Sequence, residues 1–572
     1  MLPLRRSKLA DIGVAMALVR SGDTVVCSGF VSQGAPESLL SHLGSRTNVR
    51  NLTLLFEGGP GDYATRGLNH LAKQPGMLQR AIGAHYGQVP QIASLALADA
   101  IAAYALPMGA ISRMIRSASS HSPGFTTRIG MGTFVDPRHG GGKLNSRAQK
   151  DGDLVSLLSI DGVEYLHYRS LPVRVALVKG STGDPAGNIT FERESLLSDA
   201  RIMCAAAKAS GGVVIAQVAR VAELNSLMPR QVHIPGVMVD AVVLAPDDDA
   251  MGYFAPYNAS WTGELKLMQP QQQQQPRANA AAAAPAARLD ARKIIGRRAA
   301  LELKRGDVVN LGIGMPEMVA EVCREEAIDK CVTLTTEAGV IGGVGAAGHN
   351  FGAGSNYDAL LEINQIFDFY NGGGLSVCFL GMAQVCAASG NVNVSRLSAD
   401  SLTGPGGFID ISQSTRRIVF MGTFTKKGLD VAATRAGGLA INKEGAIRAF
   451  CSGVREVSFS GRMAIENGQD VLYVTERAVF RLTRAGLELI EVADGVDARS
   501  DVLDCIDGPC AVSPELKRMD ARVFAEGPMG CVCAMAIRAD ARARQDCTTI
   551  WSTQPVCWRS DAGSTLPPAP CT

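Results

Sequence analysis

The sequence predicts an α/β protein of two homologous domains, each an open and mostly parallel sheet, that arose by internal duplication. Two observations support this prediction. Short apolar segments alternate with helical patterns, which is typical of βαβ units and parallel sheets. In addition, the two halves of the 572-residue chain carry similar motifs in the same order. Coincidence is the alternative, and a duplication is the more economical interpretation.

Composition argues for a globular protein that acts on small molecules. Lys and Arg number 56 and Asp and Glu 54, so the net charge of +2 gives no basis for binding nucleic acid or an anionic membrane. The longest segment without a charged residue, 369–395, contains a mainly apolar part of only 375–388, which is too short to cross a bilayer. We expect a cytoplasmic protein, with the mitochondrial matrix as the alternative because the N-terminus reads MLPLRRSK.

Shifts in composition divide the chain into four parts. Residues 268–290 form a Gln-, Ala- and Pro-rich segment without hydrophobic periodicity, and its three prolines argue against an Ala-rich helix. We interpret it as a linker between an N-terminal domain, 1–267, and a C-terminal domain, 291–525. The remaining residues, 526–572, contain five of the fourteen cysteines and are expected to be an extension outside the folded core.

Each half opens as a strand, a glycine loop and a helix. In the first half, Thr24-Val-Val-Cys is followed by a glycine loop and by Pro36, a residue suited to the first turn of a helix. The second half repeats this order from Arg305-Gly-Asp-Val-Val-Asn to Pro316. Because ligands of such sheets bind beyond the carboxyl ends of the strands, these loops are where a site is expected.

The densest candidate motif surrounds Glu337. The segment from Cys331 to Thr336 alternates as a strand does, and Glu337 falls where that strand would end. A carboxylate there is placed like a catalytic group, although a solvated loop glutamate is the alternative. Gly343 and Gly345 follow, and glycines allow backbone N–H groups to approach a reacting carbonyl closely.

A dinucleotide site and a metal site are both disfavoured. Gly343-Val-Gly345-Ala-Ala-Gly348 matches G-x-G-x-x-G, but the residues that follow, His349-Asn-Phe-Gly-Ala-Gly-Ser-Asn356, are not expected to form the required helix. The histidines and cysteines lack metal-ligand spacing, so no metal is expected. Gly404-Pro-Gly406-Gly407-Phe-Ile-Asp is a further glycine cluster, which alone is more often a turn than a binding site.

These motifs together resemble family I coenzyme A transferases, and most closely the fused propionate and acetate CoA-transferases. The resemblance covers roughly residues 8 to 525. The motifs that carry it are Gly29-Phe-Val-Ser-Gln-Gly34-Ala-Pro-Glu, Tyr104-Ala-Leu-Pro-Met-Gly-Ala-Ile-Ser112, Gly130-Met-Gly-Thr-Phe-Val-Asp-Pro-Arg138, Thr336-Glu337-Ala-Gly-Val-Ile-Gly-Gly-Val, Phe367-Asp-Phe-Tyr-Asn-Gly-Gly-Gly374, Phe379-Leu-Gly-Met-Ala-Gln-Val, Gly390-Asn-Val-Asn and Gly406-Gly-Phe.

The resemblance implies a short-chain acyl-CoA:carboxylate CoA-transferase that works by ping-pong covalent catalysis. The family's nucleophile corresponds to Glu337, which is implied to form a mixed anhydride and then a glutamyl-CoA thioester. Acyl-CoA and a short-chain carboxylate are the expected substrates, with no tightly bound cofactor and with assembly as a homo-oligomer. We predict that the site is walled by glycines of both halves, namely Gly29, Gly34, Gly343, Gly345, Gly406 and Gly407.

Physical chemistry adds two expectations. A glutamate with an ordinary pKa near about 4.3 is ionised at neutral pH and needs no general base to act as a nucleophile. The demand then falls on stabilising the oxyanion and excluding water, which glycine loops can achieve. An acyl-CoA hydrolase on the same fold and a catalytically silent CoA-binding scaffold are the alternatives. The sequence leaves acetate, propionate, butyrate, acetoacetate and succinate open as acids.

Overall fold

Each half of the chain is built around one large sheet. The computed structural model describes residues 7–246, 250–267, 289–434 and 436–531. The helices of the first half are α1 (Ile12–Met16), α2 (Glu37–Ser45), α3 (Pro90–Leu97), α4 (Met108–Ser119), α5 (Ser146–Asp151) and α6 (Ala200–Ala209). Its strands are β1 (Thr24–Cys27), β2 (Leu52–Phe56), β3 (Leu78–Gly83), β4 (Ala102–Ala105), β5 (Gly124–Thr127), β6 (Val155–Ile160), β7 (Val163–Arg169), β8 (Val175–Gly183), β9 (Ile189–Thr190), β10 (Val213–Val221), β11 (Val232–Ile234) and β12 (Ala241–Leu244).

The second half has fewer described helices and more short strands. Its helices are α7 (Ala291–Ala300), α8 (Glu317–Glu325), α9 (Ile363–Asn371), α10 (Phe408–Ser414) and α11 (Gly461–Glu466). Its strands are β13 (Val308–Leu311), β14 (Thr333–Thr335), β15 (Val340–Ile341), β16 (Val344–Gly345), β17 (Gly354–Ser355), β18 (Ala359–Leu360), β19 (Val377–Gly381), β20 (Gln384–Cys386), β21 (Val392–Asn393), β22 (Arg417–Met421), β23 (Thr425–Lys426), β24 (Asp430–Ala433), β25 (Leu439–Lys443), β26 (Ile447–Arg448), β27 (Phe450–Cys451), β28 (Asp470–Val474), β29 (Ala478–Thr483), β30 (Gly486–Val492) and β31 (Ala511–Arg518).

The two sheets share a parallel core with the same strand order. In the first half this core runs β2-β1-β8-β10-β12. In the second half it runs β14-β13-β19-β22-β28, again with every pair parallel. Antiparallel strands are added at the edges, as where β28, β29 and β30 follow one another. The predicted α/β class with mostly parallel sheets is confirmed.

The opening strand, loop and helix of the first half follow directly from local sequence. Val25, Val26 and Cys27 of β1 are buried, because a central parallel strand is covered on both faces. Pro36 precedes the first residue of α2, where a missing N–H costs nothing, and the helix buries Leu39, Leu40 and Leu43 along one side. The glycine loop is thereby held at the carboxyl end of the sheet.

The halves dock through the loops that follow their strands. The N–H of Met108 donates to Gly406 O over 2.9 Å, and the N–H of Gly406 donates to Ala84 O, also over 2.9 Å. Arg113 of α4 forms an ion pair with Asp368 of α9 at 3.0 Å. The carboxyl ends of both sheets therefore face one another across this junction, which is where the sequence motifs converge.

The predicted domain boundaries need two adjustments within the described residues. Asp290, placed in the linker, caps α7 by accepting the N–H of Lys293 over 2.9 Å. The expected tail boundary at 525 is too early, since Glu326 accepts the N–H of Cys531 at 3.0 Å and Met529 is buried. The rest of the linker, 268–288, and of the extension, 532–572, lies outside the described residues.

Within 7–246, 250–267, 289–434 and 436–531, none of the helices combines the length and the apolar character needed to span a lipid bilayer.

Candidate active site

Glu337 lies just beyond the end of a parallel strand, as predicted. It follows β14 by two residues and occupies a tight turn into β15, in which the N–H of Gly339 donates to Thr336 O over 3.0 Å. Gly339 has φ +110°, and a Cβ atom there would lie 2.0 Å from Leu361 O, so the turn requires glycine. The half-buried side chain of Glu337 thus projects from a rigid corner toward the other half of the molecule.

The carboxylate faces a cavity of about 230 Å³ between the two halves. Both halves contribute to its wall, and most of the lining is apolar or backbone. The lining residues are Phe30, Val31, Gly58, His85, Gln88, Met108, Gly312, Ile313, Glu337, Phe351, Leu380, Gly381, Val394, Thr403, Gly404, Pro405, Gly406, Gly407, Phe408 and Ile411. A carboxylate in a largely apolar cavity is poorly solvated, which affects both its charge and its reactivity.

Gly406 and Gly407 line this cavity, as the sequence predicted. The backbone N–H of Gly407 donates a hydrogen bond to the Glu337 carboxylate. A Cβ atom at Gly407 would lie only 2.0 Å from Oε2 of Glu337, so no larger residue fits without displacing the carboxylate. Gly406 has φ +53°, a left-handed conformation that favours glycine, and its carbonyl accepts the N–H of Met108. The pair therefore joins the halves directly beside Glu337.

The first-half loop reaches the cavity through neighbours of the predicted glycines. Phe30 and Val31 line the cavity, whereas Gly29 and Gly34 do not. Gly29 shapes the loop with φ +113° and donates its N–H to Oγ of Ser198 over 3.1 Å. The loop therefore reaches the cavity through Phe30 and Val31, and the two glycines allow the loop its conformation.

Gly343 and Gly345 are also absent from the cavity lining. A Cβ atom at Gly343 would lie 2.2 Å from Ser355 O, so this glycine permits close packing of neighbouring backbone. Gly345 belongs to β16, which pairs with β17 in a small antiparallel ribbon. A 3-10 turn, Gly348–Asn350, follows the G-x-G-x-x-G match in place of the amphipathic helix of a dinucleotide site.

The electrostatics of Glu337 differ from the sequence expectation. Its pKa is raised to about 7, chiefly because the carboxylate is removed from water and secondly because Asp410 carries a negative charge nearby. The hydrogen bond from Gly407 opposes this shift only in part. The expected ordinary pKa is therefore wrong: near neutral pH, the free enzyme holds Glu337 in both protonation states.

Three further groups at the site carried no role in the sequence analysis. His85 and Gln88 line the cavity with Nδ1 and Oε1 2.5 Å apart, and burial lowers the pKa of His85. Asp410 is fully buried in the first turn of α10. Two sequence signals could have indicated these residues. One is the polar segment Ala84-His-Tyr-Gly-Gln88, which directly follows β3, and the other is an acid three residues after Gly407.

Comparison with known proteins agrees with this geometry. Residues 9–245 match the family described as Coenzyme A transferase. A caffeate CoA-transferase of Acetobacterium woodii is 40% identical over 528 residues, covering 91% of this chain and 98% of that protein. The acetate CoA-transferase YdiF of Escherichia coli K12 is 41% identical over 483 residues, covering 84% and 88% of the two chains.

A solved structure shows the same fold over nearly its whole length. It is the acyl-CoA transferase YdiF from Escherichia coli O157:H7, described as a thioester complex with CoA. The TM-score is 0.83 at 37% sequence identity, and the match covers 92% of this chain and 97% of that one.

Proposed function

We propose that this chain, which belongs to the coenzyme A transferase family and is a CoA-transferase, moves coenzyme A between short-chain carboxylic acids through a covalent intermediate on Glu337. One observation carries the proposal: a single carboxylate projects into an apolar cavity between the halves and receives a backbone N–H from Gly407. Acyl-CoA and a carboxylate are its substrates, and the solved relative described as a thioester complex with CoA supports a covalent route.

The proposed reaction begins with attack of the Glu337 carboxylate on the thioester carbonyl of acyl-CoA. The C–S bond breaks, giving an acyl-glutamyl anhydride and the CoA thiolate. The thiolate then attacks the glutamyl carbonyl of the anhydride, which releases the first acid as its carboxylate and leaves CoA on Glu337 as a thioester. A second carboxylate runs both steps in reverse and departs as the new acyl-CoA, so the enzyme is regenerated unchanged.

The site supplies what these steps require. Attack of the thiolate on the anhydride passes through a tetrahedral oxyanion on the glutamyl carbonyl, and the N–H of Gly407 is a fixed donor already directed at that carboxyl group. The apolar wall, including Phe30, Phe351 and Phe408, limits the water that could hydrolyse the anhydride or the thioester. Only the ionised form of Glu337 is nucleophilic, so its raised pKa makes turnover dependent on pH near neutrality.

The lining also favours monocarboxylates such as acetate and propionate over dicarboxylates. Among the cavity-lining residues of the described chain there is no lysine or arginine, and burial keeps His85 uncharged near neutral pH. A second carboxylate in the acyl position would therefore be buried without a cationic partner, which is costly. Butyrate and succinate are both four-carbon acids and differ in the second carboxylate, so comparing them measures the effect of that charge.

We expect kcat/KM for butyrate to exceed that for succinate by at least about a hundredfold, since leaving a buried charge unpaired costs roughly 3 kcal/mol or more. Steady-state rates with acetyl-CoA as donor and each acid as acceptor test this. Equal kcat/KM values for the two acids would contradict the assignment of the acyl pocket to this cavity.

The decisive experiment for the proposed function is mass spectrometry of the enzyme after incubation with propionyl-CoA and no acceptor. We expect a CoA adduct on the peptide that contains Glu337, and its loss when acetate is added. Steady release of CoA and propionate without any adduct would support an acyl-CoA hydrolase instead. No reaction with propionyl-CoA or with other acyl-CoA donors would overturn the proposal in favour of a silent scaffold.

A further inference from the structure

A second carboxylate is built into the wall behind Glu337. Asp410 lies in the first turn of α10, three residues after Gly407, and its side chain is fully buried. Its Oδ2 accepts the N–H of Gly109 at 3.1 Å, and its Oδ1 accepts Nδ2 of Asn371 at 3.2 Å. These two donors, one from each half of the molecule, fix the carboxylate in place.

The two carboxylates flank the same aromatic ring. A Cβ atom at Gly407 would lie 2.0 Å from Oε2 of Glu337 and 2.9 Å from Cζ of Phe367. A Cβ atom at Gly109 would lie 2.5 Å from Oδ1 of Asp410 and 2.8 Å from Cδ1 of the same ring. Because a buried phenyl ring screens charge far less than water does, two negative charges placed around it repel each other appreciably.

We propose that Asp410 is a positioning residue that acts through Glu337: its fixed negative charge destabilises the Glu337 carboxylate and thereby drives that carboxylate to become the uncharged CoA thioester. This inference rests on the proposed function, because it requires Glu337 to be the nucleophile. Asp410 is then the group that shifts the equilibrium from the free Glu337 carboxylate toward the CoA thioester. The substrate-facing wall contributes shape, whereas Asp410 contributes a repulsion that the reaction relieves.

The charge balance of the proposed reaction explains why repulsion helps. Before reaction, the negative charge is on Glu337; after acyl-CoA has reacted, it is on the free carboxylate that leaves the site. Glu337 as a thioester carries no charge and is not repelled by Asp410. The factor by which Asp410 favours protonation of Glu337 is therefore also the factor by which it favours loading of CoA, since both reactions remove the same charge.

The groups that face Asp410 do not cancel its charge. Arg113 of α4 lowers the pKa of Asp410 by attraction, but that guanidinium is committed to Asp368 at 3.0 Å. Burial, and after it the charge of Asp410, raises the pKa of the Tyr168 phenol, which therefore stays uncharged. Asp410 itself has a pKa of about 6, raised by burial, so it is ionised under the conditions in which Glu337 reacts.

The test replaces Asp410 by the uncharged, isosteric asparagine. Asp410→Asn keeps an oxygen for the N–H of Gly109, and Asn371 can rotate its amide to meet the new NH2 group. Asp184→Asn is a matched control: Asp184 is also buried, and it also accepts a backbone N–H and an asparagine amide, both from Asn188, but it is not among the charges that raise the pKa of Glu337. A variant that removes charge without affecting Glu337 is thus available.

Two quantities are measured for the wild type and both variants between pH 5 and 9. One is the rate of adduct formation with propionyl-CoA in a single turnover. The other is the equilibrium fraction of CoA-loaded enzyme, read by intact mass at fixed ratios of propionyl-CoA and propionate. In Asp410→Asn, we expect the acid limb of the rate to move down by about one pH unit and the loading constant at pH 8.5 to fall by about tenfold.

The agreement between the two readouts is the signature of the proposal. The shift of the acid limb, in pH units, should equal the decimal logarithm of the factor by which the loading constant falls at pH 8.5. At low pH, where Glu337 is protonated in every variant, the loading constants of all variants should become equal. A variant that had merely lost its packing would load less at all pH values. The Asp184→Asn enzyme should match the wild type in both readouts.

Two outcomes would overturn the inference: an unmoved acid limb in folded Asp410→Asn, or a loading constant at pH 8.5 equal to that of the wild type. If the asparagine variant fails to fold, Asp410→Ser, whose hydroxyl can still accept from Gly109, is measured in the same way. Failure of the proposed function is recognised separately, since the wild-type enzyme would then form no adduct on Glu337 at any pH.

Discussion

The two halves carry a glutamate at the same place, and only one of the two faces the cavity between the halves. Thr24 of β1 pairs with Thr53 of β2, and Val308 of β13 pairs with Thr333 of β14. Counting forward from the paired threonines, Glu57 in the first half corresponds to Glu337 in the second. The duplicated fold therefore places a carboxylate just beyond the end of the same strand twice.

The surroundings of the two glutamates differ sharply. Glu337 faces the cavity, whereas Glu57 is buried at 2% exposure and only its neighbour Gly58 reaches the lining. Burial, with Asp199 nearby, raises the pKa of Glu57 well above its usual value. Neither oxygen of Glu57 receives a hydrogen bond from a donor of the described chain. Burial and the neighbouring charge of Asp199 therefore both favour the protonated, uncharged form of Glu57.

Each glutamate also has an aspartate at the start of a helix. Asp199 precedes α6 and Asp410 lies in the first turn of α10, and both helices precede the corresponding strands β10 and β22. Asp199 accepts the backbone N–H of Asn364 at 2.8 Å, so it joins the halves just as Asp410 does through Gly109. The same strand-end position thus gives two acids with different surroundings. Access to the cavity, and a fixed donor such as Gly407, distinguish Glu337.

The largest effect should come from exchanging each glutamate for glutamine. Glu337→Gln removes the only nucleophile of the proposed route, so transfer should fall by at least about a thousandfold while the fold is retained. Glu57→Gln keeps a neutral group where a protonated acid already lies, and we expect its transfer rate to stay within about threefold of the wild type. Rates of transfer from propionyl-CoA to acetate, with thermal unfolding of each variant, measure both.

Either variant can contradict the distinction drawn between Glu337 and Glu57. Full activity in Glu337→Gln would show that the strand-end carboxylate of the second half is not the nucleophile. A complete loss in well-folded Glu57→Gln would show that the buried acid takes part in the reaction, and that the two halves contribute chemically equivalent groups.

A smaller effect is expected from adding one methyl group beside the carboxylate. In Gly407→Ala, the new Cβ would lie 2.0 Å from Oε2 of Glu337, so the carboxylate must move away from its donor. A displacement of about 1 Å can cost roughly a hundredfold in kcat. Gly345→Ala is the matched control, because its Cβ would meet nothing closer than Cγ2 of Thr336 at 3.6 Å. Its kcat/KM should be unchanged; equal losses in both variants would contradict the assigned roles.

Sequence patterns located the fold and the strand-end position of Glu337 because both depend on local signals. Buried apolar strands such as Val25 to Cys27 and the proline-started α2 are specified within a few residues, and Glu337 lies at a strand end that alternation reveals. Gly406 and Gly407 were found as a glycine cluster. Other features depend on contacts between distant parts of the chain, which no local pattern encodes.

The features that local sequence patterns did not predict share that physical cause. Glycine marks a close approach of backbone but not what is approached: Gly343 accommodates Ser355 O, and Gly29 accommodates its own loop. The raised pKa of Glu337 arises from burial between the halves and from Asp410, 73 positions further along the chain. Charges that interact through tertiary packing cannot be read from spacing, so the expected ordinary pKa of Glu337 could not be corrected from sequence.

The smallest expected effect, and the most specific to the first half, is on stability. Glu57 has a raised pKa in the folded protein, so folding takes up a proton at pH values between the unfolded pKa of about 4.3 and that raised pKa. Stability from this group is fully present below the unfolded pKa and declines by about 1.4 kcal/mol per pH unit until Glu57 itself ionises in the folded state. Glu57→Gln removes this decline, because glutamine binds no proton in either state.

Thermal unfolding between pH 5 and 9 should therefore show Tm falling more steeply with pH for the wild type than for Glu57→Gln, with the variant the more stable above neutrality. Glu192→Gln, at a side chain 37% exposed and paired with Arg220, controls for loss of one surface charge and should follow the wild type. Parallel curves for the wild type and Glu57→Gln would mean that the first-half glutamate is ionised within the fold. The two strand-end acids would then differ in access to the cavity and in the Gly407 donor, and not in charge.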